Sequence, residues 1–428
     1  MVRPCCRRYC GGADRAPTAA VAGTCALPLA HPAKTREEQI TSEGNRMKDK
    51  KLTFTESLML VAGAGIGTGI LTIPYAIAKI GLLGTLAALA LAYAASAVLY
   101  LMIADLTRNS ERSEDLIGIL DEHLFGGKHR KVLRAVFFAV LVLLLLENLI
   151  VYILCASDVL CDLLGLGGIL SKGIFYLLAS VAVLFGMKGI GIGEKFSVWM
   201  IGAAVAILTA LSCLDVKGSI QPGFGAWDGV FAVYGLFMFA FSAIFSVIQV
   251  CNHIAKPQLA GRAVIGGLTL NALLTLLFSL AVLLGSEEVT EVATIGLADS
   301  IGIPFVRVLC AVLVLLAMLS SFWSSGFAFA DVLSAQLGLN KKLSWLAATL
   351  PAVLIAVVFP LTVLDYVQIG AGALSVILVL VVLPAYRNAT RKATGTLSFG
   401  RLAGSRWLII SAAVAICLMA ASSFVPIT

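Results

Sequence analysis

The chain has 428 residues, 60% of them hydrophobic and only 13% charged, with a formal net charge of +7. Soluble domains are about half apolar and about a quarter charged, so this composition excludes an ordinary soluble globular protein. The surplus positive charge lies between long apolar runs, where it reports membrane orientation and gives no ground for a nucleic-acid role.

Residues 1–46 differ from the rest. MVRPCCRRYCGGADRAP is basic, carries Cys5, Cys6 and Cys10, and lacks the continuous apolar core of a secretory signal. One short cysteine cluster without a second ligand pair is weak ground for a metal knuckle. The expectation is a non-native or disordered extension, with translation starting at Met47 and MKDKKLTFTESLML forming a short basic tail before the first span.

From Met47 onward there are eleven apolar runs, at 54–79, 80–104, 135–156, 170–187, 196–214, 227–252, 263–285, 305–330, 343–363, 366–386 and 405–426. Most approach the ~20 residues that a helix needs to cross ~30 Å of hydrocarbon. None alternates like the strands of a membrane barrel. The predicted fold class is therefore an all-α polytopic membrane protein with eleven transmembrane helices. With the loop after run 2 placed in the cytoplasm, twenty Lys and Arg residues beyond Met47 fall inside, and only Lys79, Lys172, Lys217 and Arg307 fall outside. The positive-inside rule then puts the N-terminus in and the C-terminus out.

Run 1 contains GAGIGTGILTIPYA, Gly63 to Ala76, with four glycines at alternate positions. Each costs a helix interior roughly 0.8–1 kcal/mol relative to alanine. Gly63/Gly67 and Gly65/Gly69 are two Gly-xxx-Gly pairs, the pattern of close helix contact. Residues two apart on a helix differ by roughly 200° around its axis, so the pairs lie on nearly opposite sides. Either two helices approach from both sides or the chain is unwound here, and unwinding is the favoured reading. Unwound backbone at membrane depth must face protein or a polar cavity. The N–H groups of Gly67, Thr68, Gly69 and Ile70, with Gly65 beside them, then suit a carboxylate at the start of an outer half-helix. The carbonyls of Gly63 and Ile66, ending the inner half, suit a cation.

The loop at 105–134 is charged and is predicted to hold an amphipathic helix in SEDLIGILDEHLFG. In run 3, Glu147 is the one ionisable residue read as lying deep in a span. A charge there costs at least ~2.5–3.5 kcal/mol and must face the bundle. It is a candidate proton carrier, substrate-amine partner or cation ligand, with Asn148 beside it, or else a protonated structural group. GMKGIGIGEK, Gly186 to Lys195, reads as a short loop without the strand or the Gly-Lys-Ser/Thr ending of a phosphate cradle. Run 5, taken from Phe196, contains no lysine. Run 6, VYGLFMFAFSAIFSVIQVCNHIAKP, has small residues among phenylalanines, and Phe241 and Ser242 mark a presumed second break. Runs 1 and 6 would be equivalent members of two copies, and paired interrupted helices point to a transporter site at mid-membrane. In run 8, Ala317, Ser320 and Ser321 fall at i, i+3 and i+4 on one helical face. Serine bonding to its own helix is the competing explanation for them.

GAGIGTGILTIPYAIAKIGLLG resembles the first span of the amino acid/auxin permeases and of the bacterial aromatic amino-acid permeases, within the amino acid–polyamine–organocation superfamily. FAFSAIFSVIQVCNHIAKP is similar to their sixth span and the loop after it. FPLTVLDYVQIGAGALSVILVLVVLPAYRN is similar to their ninth-to-tenth span junction. The resemblance spans roughly 54–426. It implies a five-plus-five inverted repeat with broken helices 1 and 6: a first repeat at 47–214, an inverted second at 215–386, and a linker with an extra helix at 387–428. It also implies a sodium site made by the carbonyls of Gly63, Ile66 and Ala317 and the hydroxyls of Ser320 and Ser321. Many relatives place a glycine at the sixth-span break, and here Ser242-Ala243 stands instead.

No His-Glu-x-x-His pattern or intramembrane nucleophile–base pair marks an enzyme. The expected function is cation-coupled import of an amino acid, aromatic or otherwise apolar, across a bacterial cytoplasmic membrane by alternating access. Sodium and proton coupling both stay open, and no cofactor is expected. A non-transporting amino-acid sensor of the same fold is the alternative.

Overall fold

The computed structural model describes residues 51–67, 69–110, 115–124, 130–290, 292–359, 377, 381–392, 397–422 and 424–425. The expectations for residues 1–46, Thr68 and most of run 10 lie outside them. The described part is helical: α1 Phe54–Ile66, α2 Gly69–Arg108, α3 Leu116–His123, α4 Arg130–Leu164, α5 Gly168–Val183, α6 Gly186–Leu214, α7 Trp227–Ala240, α8 Ile244–His253, α9 Ala260–Gly285, α10 Ala293–Ile301, α11 Pro304–Leu337, α12 Lys341–Val358, α13 Leu383–Lys392 and α14 Arg406–Ser422. Seven described segments are long and apolar enough to cross a membrane, one of them the interrupted stretch Trp227–His253 that holds α7 and α8, and α1, α5 and α14 are shorter apolar helices. Leu143, Leu177, Trp199 and Leu354 are exposed on the outside of the bundle, where hydrocarbon takes the place of water.

Run 1 is divided as the glycines suggest. α1 starts on a capping box, with Thr53 accepting from the Glu56 amide at 3.3 Å and the Glu56 carboxylate accepting from the Thr53 amide at 2.8 Å. It stops at Ile66, and α2 resumes at Gly69. The outer half of span 1 ends at Gly81, whose φ of +74° breaks α2 into two helices, 69–80 and 82–108. An L side chain rarely adopts that conformation. The turn is tied to the segment before α7, with Leu82 N–H donating to the Gln221 carbonyl at 2.8 Å and Gly225 N–H donating to that of Ile80 at 2.8 Å.

Span 6 is interrupted at 241–243, between α7 and α8, where Ser242-Ala243 was expected to stand in for glycine. α1 packs against α9, α6, α11 and α8, while α7 packs against α2 and α14. The two broken spans therefore sit inside the bundle. The amphipathic helix of the 105–134 loop is α3, and the acidic 286–304 segment contains α10.

One boundary differs from expectation in a way that matters. GMKGIGIGEK is not a loop: it forms the first turns of α6, which starts at Gly186. Glu194 is thereby carried inside the bundle, fully buried.

Candidate functional site

The two breaks face each other. Phe241 N–H donates to the Phe237 carbonyl at 2.9 Å and Ser242 N–H to that of Phe239 at 2.8 Å, closing α7 with a tight turn. Ala243 N–H donates to the Tyr100 hydroxyl at 2.7 Å, so span 2 holds the far side of the break. Asn271 on α9 donates to the Ala240 carbonyl at 3.2 Å, satisfying an oxygen that the interrupted helix leaves over.

The glycines of span 1 serve both close packing and unwinding. A Cβ on Gly63 would collide with the Glu194 carboxylate and the Ser320 hydroxyl, and one on Gly67 would lie 2.7 Å from the Ser321 hydroxyl. On the other side, a Cβ on Gly65 would meet Asn271 and the Ala240 carbonyl, and one on Gly69 would meet the Ala240 side chain. The alternate spacing puts one pair of glycines against α11 and the other against span 6, with the helix interrupted between Ile66 and Gly69.

Between the breaks lies a small cavity of about 40 Å³. Gly65 and Gly67 line it from span 1, and Phe239, Ser242, Phe245 and Ser246 from span 6. Asn148 and Tyr152 of α4 and Ser324 and Ser325 of α11 close it. Its polar groups are already oriented. Tyr152 donates to Asn148 Oδ1 at 3.2 Å, and the hydroxyls of Ser246 and Ser324 lie 2.6 Å apart.

Of the other expected substrate contacts, Gly69 and Ile70 are buried in the first turn of α2. Phe241 is fully buried, with its ring 5.8 Å from that of Phe237. Glu147 is buried, next in sequence to the cavity-lining Asn148. One of its oxygens accepts from Asn148 at 3.3 Å, and Oε1 has no hydrogen-bond partner. Thr68 is not among the described residues.

The expected ion ligands come together in part. Ser321 Oγ donates to the carbonyls of Gly63 at 3.3 Å and Ala64 at 3.4 Å, so its hydroxyl bonds α1 and not its own helix. Ser320 Oγ donates to Glu194 Oε2 in a very short contact. Ile66 and Ala317 are fully buried in the same two helices. Glu194, absent from the expected set, stands among these groups with Oε1 unpartnered. Glu147 is therefore not the one ionisable group deep in a span. A signal was present in the sequence: Met187, Ile190, Gly191, Glu194, Ser197, Val198 and Ile201 form one buried face of α6 at helical spacing. The charges at Glu194 and Lys195 concealed it. Carbonyl, hydroxyl and carboxylate oxygens form a donor set that fits a hard cation.

At the end of α1 nearest residue 54, Lys188 pairs with Glu56 at 2.5 Å. Leu52 is fully buried there and pairs with the chain after α8, through Leu52 N–H to the His253 carbonyl and Ala255 N–H to the Leu52 carbonyl, both 2.9 Å.

The fold is shared by solved structures, among them MhsT and Mhp1. MhsT in complex with L-phenylalanine is 15% identical with a TM-score of 0.63, covering 86% of this chain and 98% of that one. Mhp1, a nucleobase-cation-symport-1 family transporter in a closed conformation with bromovinylhydantoin bound, is 13% identical with a TM-score of 0.64, covering 87% and 92%. No curated protein matches the chain significantly. The fold is an all-helical transporter fold with an inverted repeat. The tryptophan/tyrosine permease family matches residues 50–422, nearly the whole membrane part, and the chain belongs to that family: it is an integral membrane protein and a secondary transporter of amino acids, not an enzyme.

Proposed function

We propose that the protein imports an aromatic or other apolar amino acid together with a cation, by alternating access. The observation that carries this reading is the cavity between two interrupted helices. At that place bare backbone groups of span 1 suit the carboxylate of an amino acid, while Phe239 and Phe245 offer apolar surface to its side chain. The family and the L-phenylalanine bound to MhsT support an aromatic substrate. Substrate contacts are assigned to Gly65, Gly67, Thr68, Gly69, Ile70, Phe241 and Ser242, with Glu147 acting through Asn148. Cation contacts are assigned to Gly63, Ile66, Ala317, Ser320 and Ser321. The positive-inside pattern supports an N-terminus in the cytoplasm and a C-terminus outside, and the resemblance to bacterial aromatic amino-acid permeases supports a bacterial cytoplasmic membrane.

The test is uptake of each of the twenty amino acids into proteoliposomes, under a sodium gradient and a proton gradient applied separately. Concentrative uptake of tryptophan, tyrosine or phenylalanine under one gradient is expected. Binding of an amino acid without uptake or exchange would instead make the protein a sensor.

A further inference from the structure

Glu194 is a fully buried carboxylate with no positively charged partner among the described residues. Its Oε2 accepts from Ser320, and its Oε1 has no hydrogen-bond partner. Four elements pack against α6: α1, α5, α9 and α11. From α1 comes Glu56, seven residues from Gly63 and already paired with Lys188 of α6. From α5, Lys172 turns away to the Ala356 carbonyl at 2.8 Å, and Tyr176 lies 3.4 Å from Thr349. On α9, Arg262 is nine residues from Asn271. On α11, Arg307, Cys310 and Asp331 are ten or more residues from Ser320. At 1.5 Å per residue these groups lie about 10 Å or more along their helices. Lys195, next in sequence, is exposed.

A lone carboxylate in such a place costs several kcal/mol. It is retained at the point where α1, α6 and α11 meet, against a glycine that leaves it space. The Gly63 carbonyl, the Ser321 hydroxyl and the Glu194 carboxylate converge there, so a single positive charge would find oxygen donors from three helices. Gly63 also lies two residues from Gly65, which lines the substrate cavity.

We propose that Glu194 is the anionic seat of the coupling cation, holding one positive charge, a proton or a sodium ion, beside Gly63, Ser320 and Ser321. This inference rests on the cation-coupled reading above and adds to it the residue that makes coupling obligatory. With the seat empty, the carboxylate repels ordering of the span 1 backbone around it. With the seat filled, α1 is fixed against α11 and the cavity edge at Gly65 and Gly67 is set for substrate. Coupling free energies between linked sites correspond to about 5- to 150-fold in affinity.

The experiment compares wild type, Glu194→Gln and Glu194→Asp, each purified and reconstituted. The first readout is substrate affinity, measured by the rise in Tm on adding amino acid, across series of pH and of sodium concentration. Wild type is expected to bind at least about fivefold more tightly as its cation increases, whereas Glu194→Gln binds with an affinity indifferent to both. The second readout is accumulation. At zero membrane potential a tenfold cation gradient supports up to about tenfold accumulation in one-to-one symport, and Glu194→Gln is expected to fall to the ratio of one seen without a gradient. Dependence of wild type on pH identifies the proton, and dependence on sodium at fixed pH identifies the metal ion. Glu194→Asp, which keeps the charge but shortens its reach, is expected to retain cation dependence with its midpoint moved.

A Glu194→Gln protein that still accumulates substrate like wild type, or still responds to the cation in binding, overturns the inference while leaving the transport reading intact. If Glu194→Gln does not fold, an Asp variant with an unmoved midpoint overturns it equally. A wild type that transports with no response to either gradient defeats the cation-coupled reading and this inference with it.

Discussion

Gly63 shows how a single missing methyl group can determine a site. Any Cβ there would occupy space held by the Glu194 carboxylate and the Ser320 hydroxyl. Gly63→Ala is expected to lower stability by about 1–3 kcal/mol through overpacking and to lower transport by separating α1 from α6 and α11. Gly173 in α5 has no neighbouring atom within 4 Å of a built Cβ. Gly173→Ala should therefore raise stability, by up to about 1 kcal/mol from helix propensity alone. Thermal unfolding of the two variants in the same detergent tests the contrast. Ser321→Ala removes the bond to the Gly63 and Ala64 carbonyls, worth about 0.5–1.5 kcal/mol. Its expected signature is an approximately two- to tenfold weaker response of uptake to the driving cation, measured from the cation dependence of initial rates. An unchanged response would remove Ser321 from the cation contacts. The glycines were legible in the sequence because alternate spacing is so unfavourable for a plain helix. Glu194 was not, because a charged pair at an apolar run's edge has the same composition whether it lies in a loop or inside a helix.

At the scale of elements, the interruptions depend on what neighbouring helices supply. Span 6 breaks without a glycine because the Tyr100 hydroxyl and the Asn271 amide take up backbone groups that the turn leaves over. Those partners are 143 and 31 residues away from their acceptor or donor, so no local pattern announces them. At the other end of α1, the Glu56–Lys188 pair and the buried Leu52 close the bundle over the Glu194 level, with Gly191 packed against Leu52 and Glu56. Breaking one member leaves a buried or half-buried charge, so Glu56→Gln and Lys188→Met should each destabilise more than the double variant's additive share. The expected interaction energy is about 0.5–3 kcal/mol. A double-mutant cycle by thermal unfolding checks it, and strict additivity would show that the pair does not fasten this end. Helix α6 is longer than its apolar run, because its first turns are glycine-rich and share the composition of a loop. In a membrane bundle the same glycines allow close approach, as Gly191 does to Leu52 and Glu56.

At the scale of the whole molecule, the contacts between loops sort into two ends. Gln221 with Leu82, Asp162 with Arg307, and Lys217 with Ser300 belong to one end. Leu52 with Ala255, Glu56 with Lys188, and Asp105 with Ser398 belong to the other. Among the described residues this division agrees with the alternation of the runs and with the distribution of Lys and Arg between them. The proposed orientation rests on charge alone, and it predicts a labelling pattern. In a chain whose own cysteines are replaced, Ser219→Cys should react with an impermeant thiol reagent on intact cells, and Lys342→Cys only after permeabilisation. The reverse pattern would place the N-terminus outside.

The apolar run lengths, the sidedness of the positive charge and the glycine series were determined by the sequence itself, because each follows from the solvent and from the backbone of a single segment. They were enough for a polytopic helical protein with an interrupted first span. Tertiary structure alone decided which side chains meet at the break. A carboxylate eight residues into α6, a hydroxyl on α11 and a glycine on α1 become neighbours only when three helices pack, and packing is a property of surfaces brought together across the chain. For that reason the cavity was foreseeable in outline, whereas the buried charge beside it was not.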